Sequence, residues 1–155
     1  MKNILSIGEC MVEMAPHADG AYTRGFAGDT FNAAWYLAKL LPEGATVDYF
    51  TAVGTDAVSG EMLDFMERSG VGTGCIRRIE ERTVGLYMIA LKDGERSFSY
   101  WRGQSAAKRL AADREALEAA GRGRDLILFS GITMAIVDEA DRGTLLDVLA
   151  EARKA

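Results

Sequence analysis

The stretch Arg24-Gly25-Phe26-Ala27-Gly28-Asp29-Thr30-Phe31-Asn32 is where an extended run turns into a helix. From Phe31 onward, Phe31, Ala34, Trp35, Ala38 and Leu41 recur near the i, i+3, i+4, i+7 spacing of one helix face. Asp29 or Thr30 is the expected N-cap, since either side chain accepts from the free N–H groups of a first turn. Gly28 lets the backbone approach a ligand with no Cβ in the way. The stretch therefore groups bare amides, a helix N-terminus, a carboxylate at Asp29 and a side-chain amide at Asn32. That set suits a ligand with several hydroxyls, because the carboxylate accepts from them and the amide both accepts and donates. The same residues also make an ordinary capped turn with no ligand, and so short a motif does not choose between the two.

Working outward, Asn3 to Gly8 is a nearly continuous apolar run of the kind a buried parallel strand shows. Cys10 to Met14 alternates, Asp19-Gly20 is a hairpin signal, and Ala21 to Phe26 alternates again. Past the first helix, Thr46 to Val53 reads as one strand, rich in β-branched and aromatic residues. Gly54-Thr55-Asp56 follows, with Asp56 the expected N-cap, and then a helix from about Ala57 to Ser69 with Val58, Met62, Phe65 and Met66 as its core face. Cys75 to Ile79, Thr83 to Leu91 and Ser97 to Trp101 read as strands, the last two joined by a turn at Lys92-Asp93-Gly94-Glu95. A helix near Asp113 to Ala120, a buried strand over Asp125 to Phe129 and a last helix capped by Asp138 complete the order. Apolar strands alternating with helices imply a parallel α/β core. The two half-polar hairpins do not fit that core and are read as a separate small sheet over one edge. Ligands of open α/β sheets sit beyond the C-terminal strand ends, where Glu9, Gly54-Thr55-Asp56 and Ser130-Gly131 fall.

The composition narrows the classes of function. With 155 residues, 48% hydrophobic and 26% charged, the chain is long and apolar enough for one domain with a real core. A net charge of −5, with no Lys/Arg cluster interleaved with aromatics, argues against a nucleic-acid partner. Cys10 and Cys75 lack metal-ligand spacing and the chain has one histidine, His17, so no zinc or other metal site is expected. Met1 to Ile7 is too short for a signal-peptide core, and no run is apolar enough to span a bilayer. The expectation is a cytoplasmic protein with no membrane partner. No phosphate-binding loop is present, since Ala107 stands where the second glycine of such a loop must be.

Six stretches together resemble the N-terminal half of the PfkB-type, ribokinase-like sugar kinases. They are Ile7-Gly8-Glu9-Cys10-Met11, the Arg24–Asn32 run, Thr51-Ala52-Val53-Gly54-Thr55-Asp56, Gly85-Leu86-Tyr87, Tyr100-Trp101-Arg102 and Leu128-Phe129-Ser130-Gly131-Ile132. Within that family the chain is most similar to the kinases of 2-keto-3-deoxygluconate. Ala27-Gly28 and Thr30 stand where the wider sugar-kinase signature has Gly-Gly and a small residue, which favours the keto-deoxy-acid branch. The resemblance implies a ribokinase-like parallel-sheet sandwich with a β-clasp lid formed by the two hairpins, in segments of about 10–27 and 83–102. It makes residues 1–155 the N-terminal part of one such domain. It implies ATP-dependent phosphorylation of the substrate's terminal hydroxyl, giving 2-keto-3-deoxy-6-phosphogluconate. The family's phosphoryl-transfer turn, Gly-Ala-Gly-Asp at a helix start, does not occur in these 155 residues. ATP and Mg²⁺ are therefore expected to be held mainly by another half, and these residues alone to be inactive, with no catalytic residue among them.

What remains is a substrate-binding set: Gly28, Asp29, Thr30, Phe31, Asn32, Tyr87, Tyr100, Trp101 and Arg102. Asp29 and Asn32 would hold sugar hydroxyls beside the Gly28 amide. Arg102 would pair with the substrate carboxylate, because a guanidinium matches a carboxylate bidentately; the alternative is a solvent-facing arginine at a strand end. Tyr87 and Tyr100 would add hydroxyl contacts, or simply pack as aromatics within the lid. Glu9, ending the first strand, is in reach of a hydroxyl or a water. The competing readings are another sugar kinase of the family, for which Arg102 has no anion to meet, and a non-catalytic sugar-acid-binding or assembly module. A homo-oligomer formed through the lid is expected, since a free two-hairpin sheet has edges and an apolar face to cover.

Overall fold

The computed structural model describes residues 2–154. Its centre is a three-stranded parallel sheet of β1 (Asn3–Ile7), β4 (Thr46–Phe50) and β9 (Leu126–Leu128), in the order β4-β1-β9. The apolar run at β1 forms the middle strand because it has helices to cover both of its faces. Ile4 joins Val47 and Tyr49 in a core shared with α1 (Asp29–Leu40) and α2 (Ala57–Arg68). Leu5, Ile7 and Phe50 point the other way, into a second core closed by α3 (Arg114–Gly121) and α5 (Glu139–Ala152). The period-2 alternation of a strand divides consecutive residues between two cores, and the result is the expected α/β sandwich.

The two hairpins form one sheet of four strands in the order β3-β2-β7-β8. Asp19-Gly20 closes β2 (Met11–Pro16) on β3 (Tyr22–Ala27), and Asp93-Gly94, both at positive φ, closes β7 (Leu86–Lys92) on β8 (Glu95–Trp101). β2 and β7 run parallel, with Val12 opposite Leu86 and Met14 opposite Met88. Val12, Phe26 and Leu86 on one face anchor this sheet to the core of α1 and α2. The other face carries Met11, Tyr87 and Ile89 as a small cluster of its own.

Several expectations are corrected. Neither Asp29 nor Thr30 caps α1: its N-cap is Gly28, and no side chain closes the first turn. Thr30 is instead buried, its hydroxyl 2.8 Å from that of Tyr49 and its carbonyl accepting from the Ser6 hydroxyl at 2.9 Å. Tertiary partners outcompete the local cap, because a buried hydroxyl left unpaired costs more than a solvated helix end. The single strand expected over Thr46 to Val53 is split: β5 (Ala52–Val53) leaves β4's sheet to pair with β6 (Arg77–Arg78). β9 is not buried as expected, for Leu126 is 49% exposed on an edge strand. The 3₁₀ turn at Ala106–Arg109 and the short α4 (Gly131–Ile136) had no legible period, being only one to two turns long. Asp138 does stand at the N-cap position of α5, but its carboxylate faces Lys108 and Arg109 rather than capping. By contrast Asp56 caps α2 as expected, accepting from the Ser59 amide at 3.0 Å.

Candidate functional site

β1 ends at Ile7, and Gly8-Glu9 carries the chain past the start of α1 at very close quarters. A Cβ at Gly8 would run into the Thr30 hydroxyl, and one at Gly28 into the Glu9 carbonyl. Gly28 itself lies at φ 178 and ψ 152, extended backbone that any residue adopts. Its requirement for glycine is therefore contact, not torsion. Beside this crossing Ile132 of α4 approaches, held through Thr133, whose hydroxyl donates to the Ile7 carbonyl at 3.0 Å. Ser130 and Thr133 form a capping box that fixes this short helix at the C-terminal end of β9.

Over the crossing lies the four-stranded sheet, and between them opens a cleft of about 260 Å³. Glu9, Gly28, Asp29 and Asn32 line one side of it, and Met11, Tyr87, Phe98, Tyr100 and Arg102 the other. A larger groove of about 450 Å³ is lined by residues of α3, α5 and the Arg122–Arg124 turn. Its innermost cation, Arg124, is already paired with Asp48, so it offers no comparable set of free polar groups.

Of the nine residues singled out in the sequence, the structure brings six to the cleft: Gly28, Asp29, Asn32, Tyr87, Tyr100 and Arg102. Asp29 and Asn32 are exposed at the uncapped N-terminus of α1, where the free amides and the helix dipole favour an acceptor or an anion. Thr30 and Phe31 are turned the other way and are 2% exposed, Phe31 meeting Tyr49 edge-on with centroids 5.6 Å apart. Trp101 pairs with Leu86 across β7 and β8, while Tyr100 pairs with Tyr87. Strand alternation therefore puts Trp101 on the opposite face from the cleft, 58% exposed. Tyr87, Phe98 and Tyr100 make an aromatic wall with centroids 6.0 to 6.2 Å apart. The Tyr87 hydroxyl donates to Glu13, and burial together with that carboxylate raises its pKa well above the phenolic range.

The residue passed over as a site member is Glu9. It is 3% exposed, and its Oε2 accepts from Arg102 Nη2 in an ion pair at the floor of the cleft. Burial pushes the Glu9 carboxyl above its ordinary value, against the pull of the Arg102 charge beside it. The signal was a carboxylate directly after an apolar strand and a glycine. Its partner lies 93 residues away, a separation that no local pattern reveals. Arg102 keeps a fifth of its side chain open, sits 5.7 Å from the Tyr100 ring centroid, and has donors that Glu9 does not occupy. The arrangement can hold a polyhydroxylated ligand with one anionic end. Among the described residues no group of three or more His, Cys, Asp or Glu is placed to hold a metal ion. No helix among them is long and apolar enough to cross a membrane.

A fold of this kind, with its cleft between strand ends and a second sheet, has well-defined relatives. Residues 1–155 match the pfkB family carbohydrate kinases, and the chain belongs to that family. Among individual proteins, it is 40% identical over 156 residues to the 2-dehydro-3-deoxygluconokinase of Dickeya dadantii (strain 3937), covering 98% of this chain and 50% of that one. To the 2-dehydro-3-deoxygluconokinase of Haemophilus influenzae it is 37% identical over 158 residues, covering 99% of this chain and 50% of that one. The chain thus spans about half the length of the curated relatives it matches. Its fold superposes on the crystal structure of 2-dehydro-3-deoxygluconokinase from Thermotoga maritima with a TM-score of 0.84, at 22% identity over 99% of this chain and 48% of that one. A fructokinase with bound ATP from Xylella fastidiosa gives a TM-score of 0.82 at 26% identity, over 99% and 46%. The fold and family inferred from the six motifs are thereby established.

The close crossing generates a test. In Gly28→Ala the new methyl meets backbone, which cannot rotate away. Overpacking of this kind costs about 1–3 kcal/mol, to be read as a lowered urea midpoint at unchanged slope. A variant as stable as the parent would show that the helix start moves freely off the strand end.

Proposed function

We propose that this chain is the acceptor-binding part of a kinase that transfers a phosphoryl group from ATP to the terminal hydroxyl of 2-keto-3-deoxygluconate. The observation that carries the reading is Arg102, a partly open guanidinium in the same cleft as Asp29, Asn32 and the bare amides of α1. A neutral sugar gives that cation nothing anionic to meet; a keto-deoxy sugar acid does. The naming of the 40%- and 37%-identical relatives as 2-dehydro-3-deoxygluconokinases, the same compound under its other name, supports the choice.

In this reading Asp29 accepts from hydroxyls of the substrate and Asn32 bridges another, while Arg102 fixes the carboxylate end. Tyr87 and Tyr100 close over the chain of the acid, and the four-stranded sheet acts as a lid that excludes water. Phosphoryl transfer depends on positioning and charge neutralisation more than on covalent chemistry, and these residues supply positioning. The nucleotide, with Mg²⁺, supplies the phosphoryl group and part of the charge neutralisation. The described residues hold no converging metal-ligand cluster and the sequence no phosphate loop. No step is therefore assigned to a metal or nucleotide site within this chain.

Two further readings go with this one. Residues 1–155 alone do not turn over. The lid sheet is also a contact between copies, because Leu91, Phe98, Tyr100 and Trp101 on its outer hairpin are each about half exposed or more.

Three measurements test these statements. In an active protein containing this chain, Arg102→Ala weakens keto-acid binding by roughly ten- to a hundredfold and leaves ATP binding nearly unchanged, the cost of a charge-assisted pair. Equal losses for both ligands, or none, refute the carboxylate role and favour a neutral sugar. The 155-residue chain, incubated with ATP, Mg²⁺ and 2-keto-3-deoxygluconate, releases no ADP above background. Turnover that disappears in Asp29→Ala would reveal a complete catalytic site here. Light scattering at micromolar concentration finds a dimer or higher oligomer that Phe98→Lys shifts to monomer; a monomeric parent sinks the lid contact.

A further inference from the structure

The Glu9–Arg102 pair is unusual in what it leaves unsatisfied. Among the described residues four buried side-chain polar atoms have no hydrogen-bond partner, and three belong to this corner: Glu9 Oε1, Arg102 Nε and Ser105 Oγ. Gly85 presses on the same place: a Cβ there would lie 2.8 Å from Glu9 Oε1 and 3.1 Å from Arg102 Cβ. Glu9 is 2% exposed in its side chain and Arg102 22%, so the carboxylate lies beneath and the guanidinium above, toward the cleft. A pair built for stability would use both carboxylate oxygens and the guanidinium fork; this one uses a single oxygen and a single nitrogen.

We propose that Glu9 is a positioning residue, holding the Arg102 guanidinium at the cleft floor with donors left over for the carboxylate of the substrate. The inference rests on the carboxylate role given to Arg102 above and adds the group that sets it. Arg102 directly follows β8, whose residues are all exposed, and without an anchor its long side chain has many rotamers to lose on binding. One contact from a buried, immobile carboxylate removes that freedom in advance. It also places a negative charge behind the guanidinium, which discourages any anion that does not engage the remaining donors directly. Gly85 makes the anchor possible, since any side chain there would occupy the space of the Glu9 carboxylate.

The charge on Glu9 is open to pH. The ionisable groups around it are Arg102 just after β8, Lys108 in the 3₁₀ turn, the buried thiol of Cys10 beside it, Tyr49 on β4, and Asp29 on the same side of the cleft. Burial raises the carboxyl above its ordinary value, and the charges of Arg102 and then Lys108 draw it back only in part. As pH falls through that raised value Glu9 takes up a proton, its charge is lost, and Arg102 is released. Affinity for the anionic substrate therefore falls on the acid side at a higher pH than an ordinary carboxylate or the substrate's own acid group would give.

The experiment compares Glu9→Gln, Arg102→Ala and the double variant in an active protein containing this chain. Glu9→Gln raises KM for the keto acid roughly tenfold, with kcat and KM for ATP within about twofold of the parent. Its acid limb in KM for the keto acid is gone. In the Arg102→Ala background Glu9→Gln adds nothing further. Glu9→Asp, which keeps the charge on a side chain one methylene shorter, raises KM but retains an acid limb, and serves as the test should the glutamine variant not fold. Proportional losses in kcat and in both KM values, additivity with Arg102→Ala, or an acid limb that survives Glu9→Gln each overturn the proposal. If Arg102→Ala costs keto-acid affinity and Glu9→Gln does not, positioning fails while the carboxylate role stands. If Arg102→Ala costs nothing, the carboxylate role fails first and this proposal with it.

Discussion

The structure depends on one close crossing, between the end of β1 and the first turn of α1. Gly8 lies under the Thr30 hydroxyl, and Gly28 lies over the Glu9 carbonyl. Two backbones approach here without side chains between them, and the surrounding polar groups are satisfied across the gap. The Ser6 hydroxyl donates to the Thr30 carbonyl, Thr30 meets Tyr49 on β4, and Thr133 reaches back to Ile7. Buried hydrogen bonds of this sort are worth little net but cost much if broken singly. The crossing is therefore held from three sides, and everything polar in the cleft is referred to it.

From that constraint the site follows. The helix cannot tilt away from the strand, so its uncapped N-terminus and the exposed Asp29 and Asn32 face a fixed direction. The strand end delivers Glu9 to the base of the same space, where it meets an arginine brought in by the other sheet. The central sheet and its helices hold these groups still, whereas β8 is exposed along its whole length. A rigid floor with a more weakly packed roof is the arrangement expected where a ligand must enter before water is excluded.

Local pattern was enough for the elements whose side chains report a period or whose turn chemistry is strict. The apolar run at β1, the Asp19-Gly20 and Asp93-Gly94 turns, the face of α2 and the Asp56 cap are all where the residues placed them. It failed where a competing partner sat far along the chain. Thr30 gave up its cap for Tyr49, and Asp138 gave up its own for Lys108 and Arg109. Thr46 to Val53 has unbroken strand character, yet it changes sheets after Phe50 because β6 offers a different partner. Nothing in the residues of either segment alone carries that information.

The candidate site divides in the same way. The motifs from Ile7 to Ile132 pointed to the family and marked candidates for the cleft, because glycines at a tight crossing and a carboxylate and an amide at a helix start show in residue type. Only the tertiary structure decided which of the marked residues face the cleft. Thr30 and Phe31 share α1's first turn with Asp29 and Asn32, but a helix sends neighbours in different directions, and these two go to the core. Trp101 lies between Tyr100 and Arg102 in sequence and across the sheet from Tyr100 in space. The Glu9–Arg102 pair, which joins the floor to the roof, exists because the fold makes neighbours of two residues 93 positions apart, and a charge shows its partner only when the chain has folded.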